Sequence, residues 1–387
     1  MSESDSSNYA DKLKNTLSSL QNMQDSTAVL ALTGVTIMII LIALMVYFYY
    51  TGTIFSNSLR TRECSSMDTM YSTINGKISS IVPSNPDYQY SLRDYYVKTA
   101  YNACSGGNYK NDYVDLCILK DLLKQGVRGL DFEIYSLDDQ PIVATSTSEN
   151  YNVKETFNSV KFGDVMSTLR DYAFISSTAP NPFDPIILHL RIKSTNQAMY
   201  KNLAKILEGY TGLLLDKQHS FENHGKNLGT IKLSELIGKI VIIVDRSNNS
   251  FLESPEFYEF INMTSHSIFM KSLNFYDIMY TENSDELIDY NRLNMTIGMP
   301  DKGTNPDNPG SLTMRANGCQ LLALRYQVID TNLEENNIFF DEQGHAFVLK
   351  PENLRYVPKT IPEPPPQDPK LSYATREVSS DFYNFEI

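Results

Sequence analysis

The chain has no tryptophan, few histidines and a shortage of positive charge. Its 387 residues include 5 His, with 33 Lys and Arg against 46 Asp and Glu, a formal charge of −13. That balance excludes ordinary nucleic-acid binding, because phosphate contacts need clustered Lys and Arg. Cysteine is equally sparse: Cys64, Cys104, Cys117 and Cys319. No Cys-x-x-Cys or His-x-x-x-Cys spacing occurs, so zinc is not expected. The four are too scattered to describe a disulfide framework or fix a redox compartment. Charge is absent altogether from Ser26 to Asn57, and within that stretch Ala28–Tyr50 is dominated by Val, Leu, Ile, Ala and Met.

That apolar run carries the clearest physical signal. At about 1.5 Å per residue it crosses a hydrocarbon core of roughly 30 Å. It closes on Tyr47, Phe48, Tyr49 and Tyr50, an aromatic belt suited to a membrane interface. The run is too long for a cleaved signal peptide and no small-residue cleavage site follows closely. We therefore expect a single-pass membrane protein whose lipid contact is Ala28–Tyr50. Lys12 and Lys14 before the run balance Arg60 and Arg62 after it, so sidedness and compartment stay open. Sequons at Asn248, Asn262 and Asn294 are expected by chance in an Asn-rich chain.

The remaining organisation follows from periodicity. Residues 1–27 are polar, with Leu13, Leu17 and Leu20 at helical spacing, an amphipathic helix or a disordered segment. Residues 51–87 form a polar stalk or linker, with one short helix expected around Ser65–Ile74. From 88 to 358, strand-like runs alternate with helix-like ones. The strands are Gly129–Tyr135, Pro141–Ala144, Ile186–Ile192, Lys239–Asp245 and Gln320–Tyr326; the helices are Asp112–Lys124 and Asn196–Glu208. Such alternation over this length predicts an α/β fold, a TIM-like (β/α) barrel, with a doubly wound open sheet as the alternative. Residues 359–387 form a Pro-rich segment followed by an acidic, aromatic end. That end straps onto the barrel, binds a partner, or is disordered.

One stretch organises the rest. In GVRGLDFEIYSLDDQPIVATST (Gly126–Thr147), Leu130, Phe132 and Ile134 alternate with Asp131, Glu133 and Tyr135 around a tight acidic turn. Asp131 and Glu133, side by side on one face, suit a cation or a basic side chain; a solvated strand face is the plainer alternative.

Together with LRDYYVKTAYNAC (Leu92–Cys104), DPIILHLRIKSTNQAMYKNLAKILEGYTGLLL and LSELIGKIVIIVD (Leu233–Asp245), this stretch resembles the X region of eukaryotic phosphoinositide-specific phospholipase C. MPDKGTNPDNPGSLTMRANGCQLLALRYQ and GHAFVLKPENLR resemble its Y region. The resemblance implies a barrel split into X and Y halves. It also implies a site of two histidines, one a general base and one a general acid, around a calcium ion.

The same resemblance implies that the site is degenerate. The first histidine falls on Tyr101, a poor base with an ordinary pKa of about 10. The second falls on Thr147, which has no proton to exchange at neutral pH. Of the metal ligands, Asn102 is kept, Asp131 and Glu133 are each swapped for the other acid, and Arg191 replaces the last carboxylate. A guanidinium cannot ligate calcium but pairs well with carboxylates, so an internal ion pair is expected in the metal's place. Headgroup-binding lysines fall on Ile243 and Asp245 and an arginine on Asn305, with Arg246 close enough to compensate in part.

His189, on the strand face of Arg191 and Lys193, is the candidate for a relocated base, against a structural histidine. No role is expected for His219, His224, His266 or His345, nor for Cys104 as a nucleophile. Asp301–Gly310 is expected to be a turn-rich loop rather than a cation site. The expectation is a membrane-anchored pseudoenzyme, a scaffold for protein contacts, with no bound metal or cofactor. Its partners are the bilayer and an unidentified protein, never nucleic acid. Composition and the anchor-plus-barrel arrangement suit the particle membrane of a large virus. The alternatives are a phosphoinositide-binding module without turnover, or an active calcium-dependent phosphodiesterase with relocated residues.

Overall fold

The β-branched runs of the chain become the staves of a barrel. The structure, a computed structural model, describes residues 3–220, 227–358, 362, 363, 365, 366, 368, 371 and 373–387. Its elements begin with α1 (Glu3–Tyr71), β1 (Tyr95–Ala100), α2 (Leu116–Lys124), β2 (Gly129–Leu137), β3 (Gln140–Ala144), β4 (Val160–Lys161) and α3 (Phe162–Thr168). Then come β5 (Ile186–Ile192), α4 (Gln197–Glu208), β6 (Ile240–Asp245), α5 (Pro255–Tyr258), β7 (Met263–Ser265), β8 (Met270–Asn274), α6 (Phe275–Met279) and α7 (Ser284–Leu293). The chain ends with β9 (Met295–Met299), α8 (Ser311–Ala316), β10 (Leu321–Leu324), α9 (Thr331–Gln343), β11 (Phe347–Leu349), β12 (Glu377–Ser379) and β13 (Asn384–Glu386).

Eight parallel strands run in the order β7-β6-β5-β2-β1-β10-β9-β8. Among the described residues no ladder joins β7 to β8, so the TIM-like barrel is nearly closed. The open-sheet alternative is set aside. Period-2 alternation sorts each strand. Leu130, Phe132 and Ile134 of β2 pack outward with Ile118, Leu122 and Leu203 of the helical layer. Val97, Ile187, Val241, Ile297 and Leu321 fill the lower interior. Higher up, the interior turns polar: β5 carries Ile187, then His189, then Arg191. A Cβ at Gly129 would lie 2.2 Å from the Thr99 hydroxyl, so only glycine lets β1 and β2 keep this register. The β2–β3 hairpin turns on Asp138 and Asp139, with φ of 49° and 61°, the left-handed pair a two-residue turn requires.

The amino-terminal part differs from the sequence reading. In place of a polar stalk with a short helix at Ser65–Ile74, α1 runs unbroken to Tyr71. The first proline of the chain is Pro83, so nothing before it removes a helical hydrogen bond. The end of α1 joins the barrel: Met67 and Tyr71 are buried, and the Tyr71 hydroxyl donates to the Tyr326 carbonyl at 2.8 Å. Cys64 and Cys117 form a disulfide, a pairing their scatter in the sequence did not suggest. Over Val29–Tyr71, α1 is long and apolar enough to cross a membrane, and Leu30, Ile39 and Met45 are exposed along it. At the far end, β12 and β13 pair only with each other among the described residues, and Tyr373 and Phe382 lie almost fully exposed.

Candidate functional site

The mouth of the barrel lies at the carboxyl ends of its strands, where βα loops gather side chains from several staves. In the register of β2 and β5, Glu133 stands beside Arg191 and Asp131 beside His189. Neighbouring strands thereby set opposite charges shoulder to shoulder. The Arg191 guanidinium donates to both Asp131 oxygens, Nε to Oδ1 at 2.9 Å and Nη2 to Oδ2 at 2.6 Å. Nη1 donates to Glu133 Oε1 at 2.6 Å and Nη2 to Asn102 Oδ1 at 2.9 Å. The Tyr101 ring covers the guanidinium with its centroid 4.5 Å away. Five residues singled out from the sequence thus meet at one point.

Nothing in this cluster is left over for a metal. Burial alone would raise the Asp131 carboxyl, but Arg191 and His189 outweigh it and hold the group at about 2. Asp131 also accepts from the Asn102 backbone N–H at 3.2 Å. The second Glu133 oxygen accepts from the Tyr135 hydroxyl at 2.7 Å and the Ser146 N–H at 3.0 Å. Asn102 adopts a φ of 46°, which turns the chain into the loop above β1. A calcium ion would need these oxygens and the space of the guanidinium, so the residues present do not fit one. Among the described residues the one other group of potential ligands is Cys64, Asp115 and Cys117. There the cysteines are bonded to each other and Asp115 caps α2 through the Cys117 N–H.

The acid–base positions are equally committed. Burial raises the Tyr101 phenol above its ordinary value, with Arg191 pulling the other way. Thr147 gives its hydroxyl to Glu155 at 2.5 Å and its N–H to the same oxygen at 2.7 Å. Lys110, then Thr147, holds that carboxyl at about 2. His189, the candidate relocated base, does not lie at the mouth. It sits one pleat below Arg191 and is fully buried, because two residues along a strand is one layer down the barrel. Its Nδ1 faces Asp131 at 2.7 Å, so it carries the hydrogen, and its Nε2 faces the Ser265 hydroxyl at 2.8 Å. Both ring nitrogens are used, the structural fate of a histidine.

Above the cluster lies a cavity of about 360 Å³, lined in part by Tyr101, Tyr109, Thr147, Lys193, Asp245 and His266. Its charges are mostly paired off: Lys302 with Glu149, His266 with Asp245 at 3.0 Å, and Arg191 as described. Asp277 and Asp301 also line it. The lining thus adds at least two further carboxylates to the single cation Lys193, a poor field for a polyanion. Of the headgroup positions, Ile243 is buried in the lower core and Asn305 accepts from Arg325 at 2.8 Å. Arg246 is exposed, contacts Asn249 at 3.2 Å, and does not line the cavity, so it does not compensate.

The sequence reading missed the pair Asp245–His266. The Asp245 hydrogen bond, ahead of burial, raises the His266 imidazole, and His266 with His189 lowers the Asp245 carboxyl against its burial. Asp245 ends β6 and pairs in register with Ser265, but β7 is three residues long and gave no periodic signal. His219 and His345 lie away from the cavity lining, and His224 lies outside the described residues. Cys104 is buried, which pushes its thiol well up and leaves it no nucleophile.

Comparison with known proteins identifies the family and the fold. The family model described as phosphatidylinositol-specific phospholipase C, X domain, matches residues 88–246, and that of its Y domain matches 240–353. Among solved structures, L. pealei PLC21 is 22% identical with a TM-score of 0.55, over 69% of this chain and 38% of that one. S. officinalis PLC21 is 23% identical with a TM-score of 0.55, over 71% and 39%. A calcium-dependent phosphoinositol-specific phospholipase C from Pseudomonas sp is 11% identical at a TM-score of 0.42, over 64% and 93%. This chain spans less than two-fifths of the two PLC21 proteins. No curated protein matches it. With X and Y models that together cover well over half of its length, the chain belongs to the phosphatidylinositol-specific phospholipase C family.

Proposed function

We propose that this is a membrane-anchored member of the family that has lost catalysis, and that its barrel serves as a rigid scaffold for protein contacts at a membrane. One observation carries the reading. The Arg191 guanidinium spends four of its five N–H donors on Asn102, Asp131 and Glu133, the residues that a metal would need. Tyr101 and Thr147 supply no acid–base pair beside it, and a fold does not carry an activity without its site. The apolar helix, continuous with the barrel, supports the anchor. The particle membrane of a large virus suits such a chain, and peptide mass spectrometry of purified particles that lacks it would exclude that setting.

The test is hydrolysis of phosphatidylinositol and its phosphates by the full chain in mixed micelles, with and without calcium. No product above the buffer background is expected. Calcium-dependent turnover would sink the reading. Sedimentation with phosphoinositide vesicles beyond that with phosphatidylcholine alone, without turnover, would replace the scaffold by a lipid-binding module.

A further inference from the structure

The last turns of α1 lie along α2. Arg60 pairs with Asp115, the N-cap of α2; Cys64 is bonded to Cys117 in its first turn; Asp68 reaches Lys124 in its last turn at 3.3 Å. Contacts at 60, 64 and 68 fall on one helical face, so the two helices run the same way. The two ion pairs of this clamp stand largely in water: the Arg60 and Asp68 side chains are 52% and 64% exposed. Such pairs add little. Met67 and Tyr71, both buried, hold the end of α1 by themselves. The turn from Arg60 to Cys64 has no such burial and depends on the disulfide.

Glu63, within that turn, is pressed against like charge. It lies on Gly106 in the loop above β1, where a Cβ would come within 3.1 Å of its carboxyl oxygen. The Asp112 carboxylate is fixed in the same loop, accepting from the Asn108 N–H at 2.8 Å and the Tyr113 N–H at 3.1 Å. Glu63 hydrogen-bonds to Asp112, and Asp115 adds a further negative charge from α2. The nearby cations are engaged elsewhere: Arg60 of α1 by Asp115, and Lys110 of the loop by Glu155 at 2.8 Å. Two carboxylates in hydrogen-bond contact do not both stay ionised, so one proton remains between Glu63 and Asp112. Burial first, then Asp112, raises the Glu63 carboxyl from its ordinary 4.5 to about 9.

We propose that the disulfide and the carboxyl pair form one redox latch. Closing Cys64–Cys117 docks the 60–64 turn on the loop above β1 with a proton held between Glu63 and Asp112. Reduction releases that turn and that proton together, while Met67 and Tyr71 keep the end of α1 in place. The joint between the apolar stretch and the barrel is thus stiff when oxidised and loose when reduced. The balance of the step is explicit. A dithiol reductant closes to its own disulfide and passes two electrons and two protons to the Cys64 and Cys117 sulfurs. The Glu63 carboxyl, no longer held against Asp112, gives its proton to water. The oxidised chain therefore binds one proton more than this accounting of the thiols requires, and rising pH favours reduction.

The full chain in detergent is equilibrated with mixtures of reduced and oxidised dithiothreitol at pH 6, 7 and 8, and free thiols are counted by alkylation and mass spectrometry. The equilibrium constant for reduction is expected to rise about tenfold per pH unit in the wild type. It is expected to stay flat in Glu63→Gln, which keeps the shape of the protonated side chain. Asp112→Asn, which removes the partner instead, should give a shallower rise than the wild type. Equal pH dependence in wild type and Glu63→Gln, flat or steep, would overturn the coupling. Trypsin cleavage after Arg60 and Arg62 reads the release of the turn. Reduction is expected to speed it severalfold in the wild type and less in Glu63→Gln; unchanged cleavage on reduction of the wild type would overturn the latch.

Discussion

Replacing Arg191 by methionine removes the charge and keeps much of the stem. It leaves Asp131, fully buried, and Glu133, 3% exposed, facing each other without a cation. Removing one partner of a buried ion pair costs about 3–5 kcal/mol, because the remaining charge stays desolvated. The sign with pH follows from the carboxyl. In the native chain Asp131 sits near 2, below its unfolded value of about 3.9. It therefore contributes about 2–3 kcal/mol above pH 4, which fades as the pH falls from about 4 to about 2. In Arg191→Met burial instead raises that carboxyl, so the loss is greatest at neutral pH and shrinks in acid, where protonation removes the stranded charge. Urea unfolding of the full chain in detergent, followed by circular dichroism at pH 7 and pH 4, reads both effects. Asp131→Asn combined with Arg191→Met should recover part of the loss. A single variant that loses less than about 1 kcal/mol at pH 7, or loses equally at both pH values, would refute the reasoning.

Cys64→Ser opens a loop whose ends are 53 residues apart in sequence, for which chain entropy gives a loss of up to about 4 kcal/mol. The wild type should match the variant's lower midpoint when unfolded in dithiothreitol, and an unchanged midpoint would show that the clamp adds nothing. At the mouth, Asp245 holds the imidazole of His266 above its usual value, so that pair stabilises fully below about pH 6.5 and fades as the pH rises through the raised value. Nuclear magnetic resonance titration of His266 should show the raised value in the native chain and a lower one in Asp245→Asn; identical titrations would contradict the pairing.

Much of the site was legible because strands have period 2. Asp131, Glu133 and Arg191 had to share a face once β2 and β5 were neighbours, and their charges left one way to pair. The depth of His189 was not legible, because alternation gives the face of a strand and not the height in a barrel. Asp245–His266 was hidden by the shortness of β7, and the clamp of Arg60, Cys64 and Asp68 by the polar composition of residues 51–71. That composition resembles a linker when taken alone. Helix propensity without proline, together with one buried stripe through Met67 and Tyr71, was enough to carry α1 through it.

Calorimetric titration of calcium into the detergent-solubilised full chain tests the central claim most directly. With Arg191 bound to Asn102, Asp131 and Glu133, the expected result is no saturable heat up to millimolar calcium. A one-site isotherm with micromolar affinity, abolished by Asp131→Asn, would contradict it and return the metal to the site.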